Sequence, residues 1–199
     1  MYREVSRDES DRAWMQSHDI RYDVTVIPPA NLDGEYVKTK GHYHPENRAG
    51  VGYPELYEVG EGSAHFLLQT NALDDVVLIE ARKGDIVVIP TGYGHVTINP
   101  TLDETLIMAN LVSTAFTSEY AFYEQMHGAA YYELTGGVVL KNPAYPAVPP
   151  VRRVRNISSI IRELGDGNTL YDFVGNDQIA QLLNHPEKCL DFLSGQFNA

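Results

Sequence analysis

From Tyr22 to about Val112 the chain is a succession of short segments rich in Val, Ile, Tyr and Thr, each closed by Gly, Pro, Asn or Asp. They read RYDVTVIPP, GEYVKTKGHYH, ELYEVGEGSAHFLLQT, DVVLIEARKG, DIVVIPTGYGHVTINP and TLIMANLVS. Branched and aromatic side chains suit a pleated, half-buried surface, and the punctuating residues supply chain reversals. No long helix fits between such breaks, so this pattern restricts the fold to an antiparallel sandwich or barrel. The unbroken apolar run in DIVVIP predicts a strand covered on both faces.

Beyond the strands the pattern changes. SEYAFYEQMHGAAYYELTGG, from Ser118, predicts a helical turn leading into another strand. KNPAYPAVPP, Lys141 to Pro150, is proline-rich and reads as an extended linker, and VRRVR after it as a solvated connector. Two helices then follow by spacing: Ile157, Ile160, Ile161 and Leu164 share one face, and Ile179, Leu182 and Leu183 another, with N-caps at Asn156 and at Asn176 or Asp177. The expected organisation is a β domain over residues 1–150 and a small helical extension over 151–199.

Composition removes several function classes. With 199 residues and 43% apolar side chains the chain can bury a core, and its formal charge of -12 argues against nucleic acid, which demands clustered Lys and Arg. No run of 18 apolar residues exists to cross a membrane as a helix. MYREVSRDESDRAW lacks the apolar stretch of a secretory signal, and Cys189, the single cysteine, has no disulfide partner within the chain. A cytoplasmic location is therefore expected, with Cys189 as a buried apolar thiol.

The chemistry concentrates in GHYHPENRAGVGYPE, Gly41 to Glu55. On a strand, i and i+2 share a face, so His42 and His44 point one way and Tyr43 the other. The loop after His44 lets Glu55 return on a neighbouring strand, and His95, in PTGYGH, is a fourth candidate. Three imidazoles and one carboxylate suit one divalent transition metal: Fe, Mn, Ni or Zn. His18 and His185 read as surface residues, His127 lacks a partner at ligand spacing, and His65, alternating with Ala64 and Phe66, reads as lining the barrel.

GHYHPENRAGVGYPELYEVGEG resembles the first cupin motif. GDIVVIPTGYGHVTIN resembles the second, with Gly84, Pro90, Gly92, His95 and Asn99 at the motif's spacings. The long gap between His44 and Glu55, the block TKGHYH, the ELY after it and the HFLLQ strand are similar to the archaeal-type glucose-6-phosphate isomerases of the cupin superfamily. The resemblance runs from about Thr25 to Asn99 and implies a cupin β-barrel (a double-stranded β-helix or jelly roll). It implies interconversion of glucose 6-phosphate and fructose 6-phosphate by a homodimer, with one metal per chain on His42, His44, Glu55 and His95. It also implies Glu55 as general base, Thr25, Thr39 and Gly41 as the phosphate grip, and Tyr57 and Tyr120 as further substrate contacts. The family's later Tyr-Pro and Gly-His-Asp-Tyr-Gly blocks are not repeated: Leu111 stands where the first tyrosine would be, and of the second block only Tyr120 has a match. Two other classes share the metal motif, a cupin dioxygenase or decarboxylase and a non-catalytic sugar-binding cupin.

Overall fold

A computed structural model describes residues 1–155 and 169–194. The predicted helix through Ile157, Ile160, Ile161 and Leu164, with its cap at Asn156, lies outside the described residues. In chain order the strands are β1 (Ile20–Ile27), β2 (Asn31–Leu32), β3 (Glu35–Tyr36), β4 (Glu55–Glu61), β5 (Ser63–Thr70), β6 (Val76–Arg82), β7 (Ile86–Ile89), β8 (Tyr93–Ile98), β9 (Leu106–Ser113), β10 (Tyr131–Leu134), β11 (Val138–Lys141) and β12 (Arg152–Arg155). The helices are α1 (Glu9–Ser17), α2 (Ala121–Gln125), α3 (Asp177–Asn184) and α4 (Leu190–Ser194).

Two four-stranded sheets face each other, in the orders β1-β9-β4-β7 and β12-β6-β5-β8. Between them lie Tyr57, Val59, Phe66, Leu68, Ile79, Val87, Ile89, Leu106 and Met108, a core made by alternate residues of both sheets. This is the cupin barrel that the strand pattern and the two motifs predict. A third, small sheet, β11-β10-β3-β2, stands beside it. The DIVVIP strand is covered on both faces as expected: Val87 and Ile89 point into the barrel, while Ile86 and Val88 point outward under the C-terminal segment.

That C-terminal cover is extensive. Leu170, Tyr171 and Phe173, on a 3-10 turn, and Ile179, Leu182 and Leu183, on α3, pack with Tyr22, Leu56 and Leu111 on the outer face of the first sheet. Asn176 caps α3 as predicted, accepting a 2.8 Å bond from the Gln178 N–H. Leu170 N–H reaches Glu58 Oε2 at 2.8 Å, and Asn184 joins Ser113 and the His18 carbonyl.

Four readings of the sequence change. The proline-rich stretch is packed against the barrel, because Tyr145 is fully buried and exchanges hydrogen bonds with Gln69 and the Gly128 carbonyl. VRRVR is the edge strand β12, parallel to β6, with Arg152 bidentate on Asp75 and Arg153 on Glu80. His65 faces away from the barrel interior, since the two-residue period that sends Ala64 and Phe66 inward sends it outward to Glu133, 2.8 Å away. Cys189 is only partly buried, at the end of a short 3-10 turn.

Candidate active site

The site is assembled by register rather than by sequence proximity. On β1, Ile20, Tyr22 and Val24 face the outer cluster, which turns Arg21, Asp23 and Thr25 inward. β9 pairs with both β1 and β4, so Arg21, Val112 and Glu55 form one cross-strand row and Asp23, Asn110 and Tyr57 the next. His42 comes from the segment before β4 and is bridged backbone-to-backbone with His95 of β8. Tyr43 turns the opposite way into the core with Tyr123 and Tyr145, as a strand-like His-Tyr-His requires.

His42, Glu55 and His95 each offer a ligand atom, all within 4.8 Å of one another. His44 stands beside them: its Nε2 and that of His95 both lie 3.4 Å from Glu55 Oε2. The other nitrogen of His44 is tied to the Tyr53 carbonyl at 2.9 Å, and its ring lies against Phe116 at 4.5 Å, which fixes the ring with Nε2 toward Glu55. Asn110 donates to Glu55 Oε1 at 2.8 Å, whereas Oε2 is buried with no hydrogen-bond partner. A buried carboxylate oxygen without a donor is costly. Atoms about 2.1 Å from a common ion at the tetrahedral angle stand about 3.4 Å apart, the spacing found between Glu55 Oε2 and the nitrogens of His44 and His95. The donor set therefore fits a divalent transition metal.

Electrostatics agree with this fit. Burial pushes Glu55 up to about 8, against the opposing pull of Tyr57, Arg21 and Asn110. Burial depresses the imidazoles of His42 and His95, and holds His44 down to about 3. The three histidines are thus neutral near pH 7, with lone pairs available for coordination.

A cavity of about 240 Å³ opens onto this cluster, lined among others by Thr25, Thr39, His42, His44, Glu55, Tyr57 and Tyr120. His95 lies deeper, 1% exposed, with the Tyr57 hydroxyl 3.2 Å from its Nε2. Gly41 is outside the lining. It is buried against Tyr123, and a Cβ there would meet ring carbons of that tyrosine at 2.1 Å. Leu111 points away from the cavity into the outer cluster. The sequence reading missed Asn110, Arg21 and Asp23. A lone amide inside the apolar TLIMANLVS, and the two-residue period running back from Thr25 through RYDVT, mark them as polar residues on an inward face, without stating which strands bring them to Glu55.

A family model described as glucose-6-phosphate isomerase (GPI) matches residues 1–149. The glucose-6-phosphate isomerase of Thermococcus litoralis is 32% identical over 129 residues, 64% of this chain and 65% of that protein. That of Thermococcus onnurineus is 28% identical over 131 residues, 65% of this chain and 66% of the other. The match thus spans slightly less than two thirds of these relatives' length. Among solved structures, tomato vicilin (14% identity, TM-score 0.41, 53% of this chain and 27% of that one) shows a loose likeness. So does Bacillus subtilis oxalate decarboxylase (14% identity, TM-score 0.41, 58% and 27%), and likenesses at this level carry no argument about function. The match to the family model extends over most of the chain, and the chain belongs to the glucose-6-phosphate isomerase family.

Proposed function

We propose that the chain is a metal-dependent aldose–ketose isomerase that interconverts glucose 6-phosphate and fructose 6-phosphate. The observation that carries this reading is the unpartnered Glu55 Oε2, held between the His44 and His95 nitrogens beside the pocket. His42, His44, Glu55 and His95 are the proposed ligands of one Fe, Mn, Ni or Zn ion per chain. Such an ion, when bound, supplies Lewis acidity to the two substrate oxygens on which charge develops.

The chain's own groups do the rest. Asn110 holds Glu55 Oε1, and Glu55 is read as a loosely held ligand whose Oε2, once released, takes the proton from C2 of the aldose and returns it to C1, while a second proton passes from O2 to O1. Thr25, Thr39, the Gly41 backbone and the hydroxyls of Tyr57 and Tyr120 are the proposed substrate contacts. Family membership supports a sugar phosphate as substrate. The same reading carries a cytoplasmic homodimer, with a cupin domain over residues 1–150 and an extension over 151–199.

The test is a coupled assay of fructose 6-phosphate conversion. Protein stripped of metal is reloaded in turn with Fe, Mn, Ni and Zn, with His95→Ala and Glu55→Gln alongside. Metal-dependent turnover that both variants lose is the expected result. Bound metal without turnover, or full turnover in Glu55→Gln, refutes the mechanism.

A further inference from the structure

The wall of the pocket also carries a pair of arginines that the proposed reaction does not use. Residues 2–5 run beside β1, bonded to it through Tyr2 with Val24 and through Val5 N–H to the Tyr22 carbonyl at 2.8 Å. This brings Arg3 to the same cavity as Arg21. Between them sits Asp23, 2% exposed. Its Oδ2 accepts from Arg21 Nε at 2.8 Å, and its Oδ1 accepts from the Glu4 backbone N–H at 3.0 Å. Glu4 adopts a left-handed backbone, φ 56°, a conformation costly for a residue with a Cβ that the bond to Asp23 helps to hold. One buried carboxylate thus fixes both the stem of one guanidinium and the backbone beside the other.

Among the described residues, Nε of Arg21 is its one engaged donor, and Arg3 makes no ion pair or side-chain hydrogen bond. Other basic groups nearby are spent: Lys40 pairs with Glu124 at 2.5 Å, and Lys38 with Glu35. A second cavity of about 510 Å³, lined by Glu4, Arg12, Met15 and Gln16, meets the first at Arg3 and Arg21, so both side chains are reachable from two sides. In a chain with a formal charge of -12, one guanidinium without an ion pair among the described residues, beside a second whose outer N–H groups Asp23 leaves free, offers donors to an anion.

We propose that Arg3 and Arg21, positioned by Asp23, form an anion clamp that binds a phosphate-class oxyanion in the wall of the pocket. Thr25 lies four residues further along β1, about 13 Å at the rise of a strand, so the clamp and the Thr25–Thr39 contacts are different ends of one cavity. The shared ligand chemistry is a tetrahedral dianion, from free orthophosphate or from the phosphate of the sugar itself.

Calorimetric titration of the metal-loaded full chain tests this with orthophosphate, glucose 6-phosphate and glucose. Arg21→Met, which keeps the stem, and Arg3→Ala, at an exposed position, are each expected to weaken orthophosphate by about ten- to a hundredfold. Glucose binding is expected to stay at the wild-type value. If glucose 6-phosphate weakens in parallel, the substrate's own phosphate occupies the clamp. If it is unaffected, the occupant is a separate anion. Wild-type orthophosphate affinity in either variant, or no orthophosphate binding to the wild type, overturns the clamp. The proposal shares the pocket of the isomerase reading but does not depend on turnover: a chain that binds orthophosphate through Arg21 yet fails to convert fructose 6-phosphate sinks that reading and leaves the clamp standing.

Discussion

Substituting Gly41 by alanine separates two reasons for a glycine next to His42. If the position is needed only for its backbone N–H, alanine keeps that donor and little changes. The structure supplies a different reason. A Cβ on Gly41 would lie 2.1, 2.4 and 2.7 Å from three ring carbons of Tyr123, well inside the 3.4 Å at which ordinary contact begins. Tyr123 is 2% exposed and is hemmed in by Tyr43, 5.2 Å away centroid to centroid, so its ring has nowhere to retreat. Overpacking of this kind costs about 1–3 kcal/mol, and at about 2–4 °C per kcal/mol the midpoint of thermal unfolding drops by roughly 2–12 °C. Guanidinium unfolding of Gly41→Ala, Tyr123→Ala and the double variant forms a cycle. Tyr123→Ala opens the space the methyl needs, so the cost of Gly41→Ala is expected to vanish in that background, giving a coupling of about 1–3 kcal/mol. Full wild-type stability in Gly41→Ala, or strict additivity in the double variant, refutes the steric argument.

Three further outcomes are expected. A divalent ion at a hundredfold excess over its Kd stabilises the wild type by about 2.7 kcal/mol, a shift of several degrees in a thermal melt, and leaves His95→Ala unmoved. Isomerisation run in D₂O places deuterium at C1 of the ketose or C2 of the aldose if Glu55 exchanges its proton with solvent. Complete retention of the substrate hydrogen in product analysed by mass spectrometry argues instead for hydride transfer. Arg152 holds the Asp75 carboxyl below its ordinary value, so this pair contributes stability above about pH 4 that is lost as pH falls through the depressed value. Because both side chains are partly exposed, the contribution is about 0.5–1 kcal/mol. In urea titrations, Arg152→Ala should be weaker than wild type by that amount at pH 7, and the gap should close as the pH falls below the ordinary carboxylate range.

The metal cluster was legible because its constraint is local. His42 and His44 share a face by the strand period alone, and the spacing from Gly84 to Asn99 singles out His95, which lies within β8. Asn110 and Arg21 were not legible for the opposite reason. Each joins Glu55 only through the pairing of β1, β9 and β4, and nothing in RYDVT or LIMANLVS states which strands become neighbours. Tyr145 shows the same limit. Its prolines announce a break in regular structure, yet whether the segment hangs free or packs depends on Gln69, a buried amide on another strand that needs the tyrosine hydroxyl as partner.

The C-terminal segment extends this dependence on distant partners to the site itself. Asn47, in the loop that separates His44 from Glu55, accepts from the N–H groups of Ala49 and Val51 and donates to Glu187 Oε2 at 2.8 Å. Leu182 and Leu183 meanwhile pack in one cluster with Leu56, the neighbour of Glu55 on β4. The segment therefore touches both ends of the stretch whose geometry decides whether His44 and Glu55 meet. Interfaces of packed apolar side chains resist small displacements more than isolated surface hydrogen bonds do. The leucines therefore brace β4, whose register its ladders with β7 and β9 set, and the Asn47–Glu187 contact braces the loop.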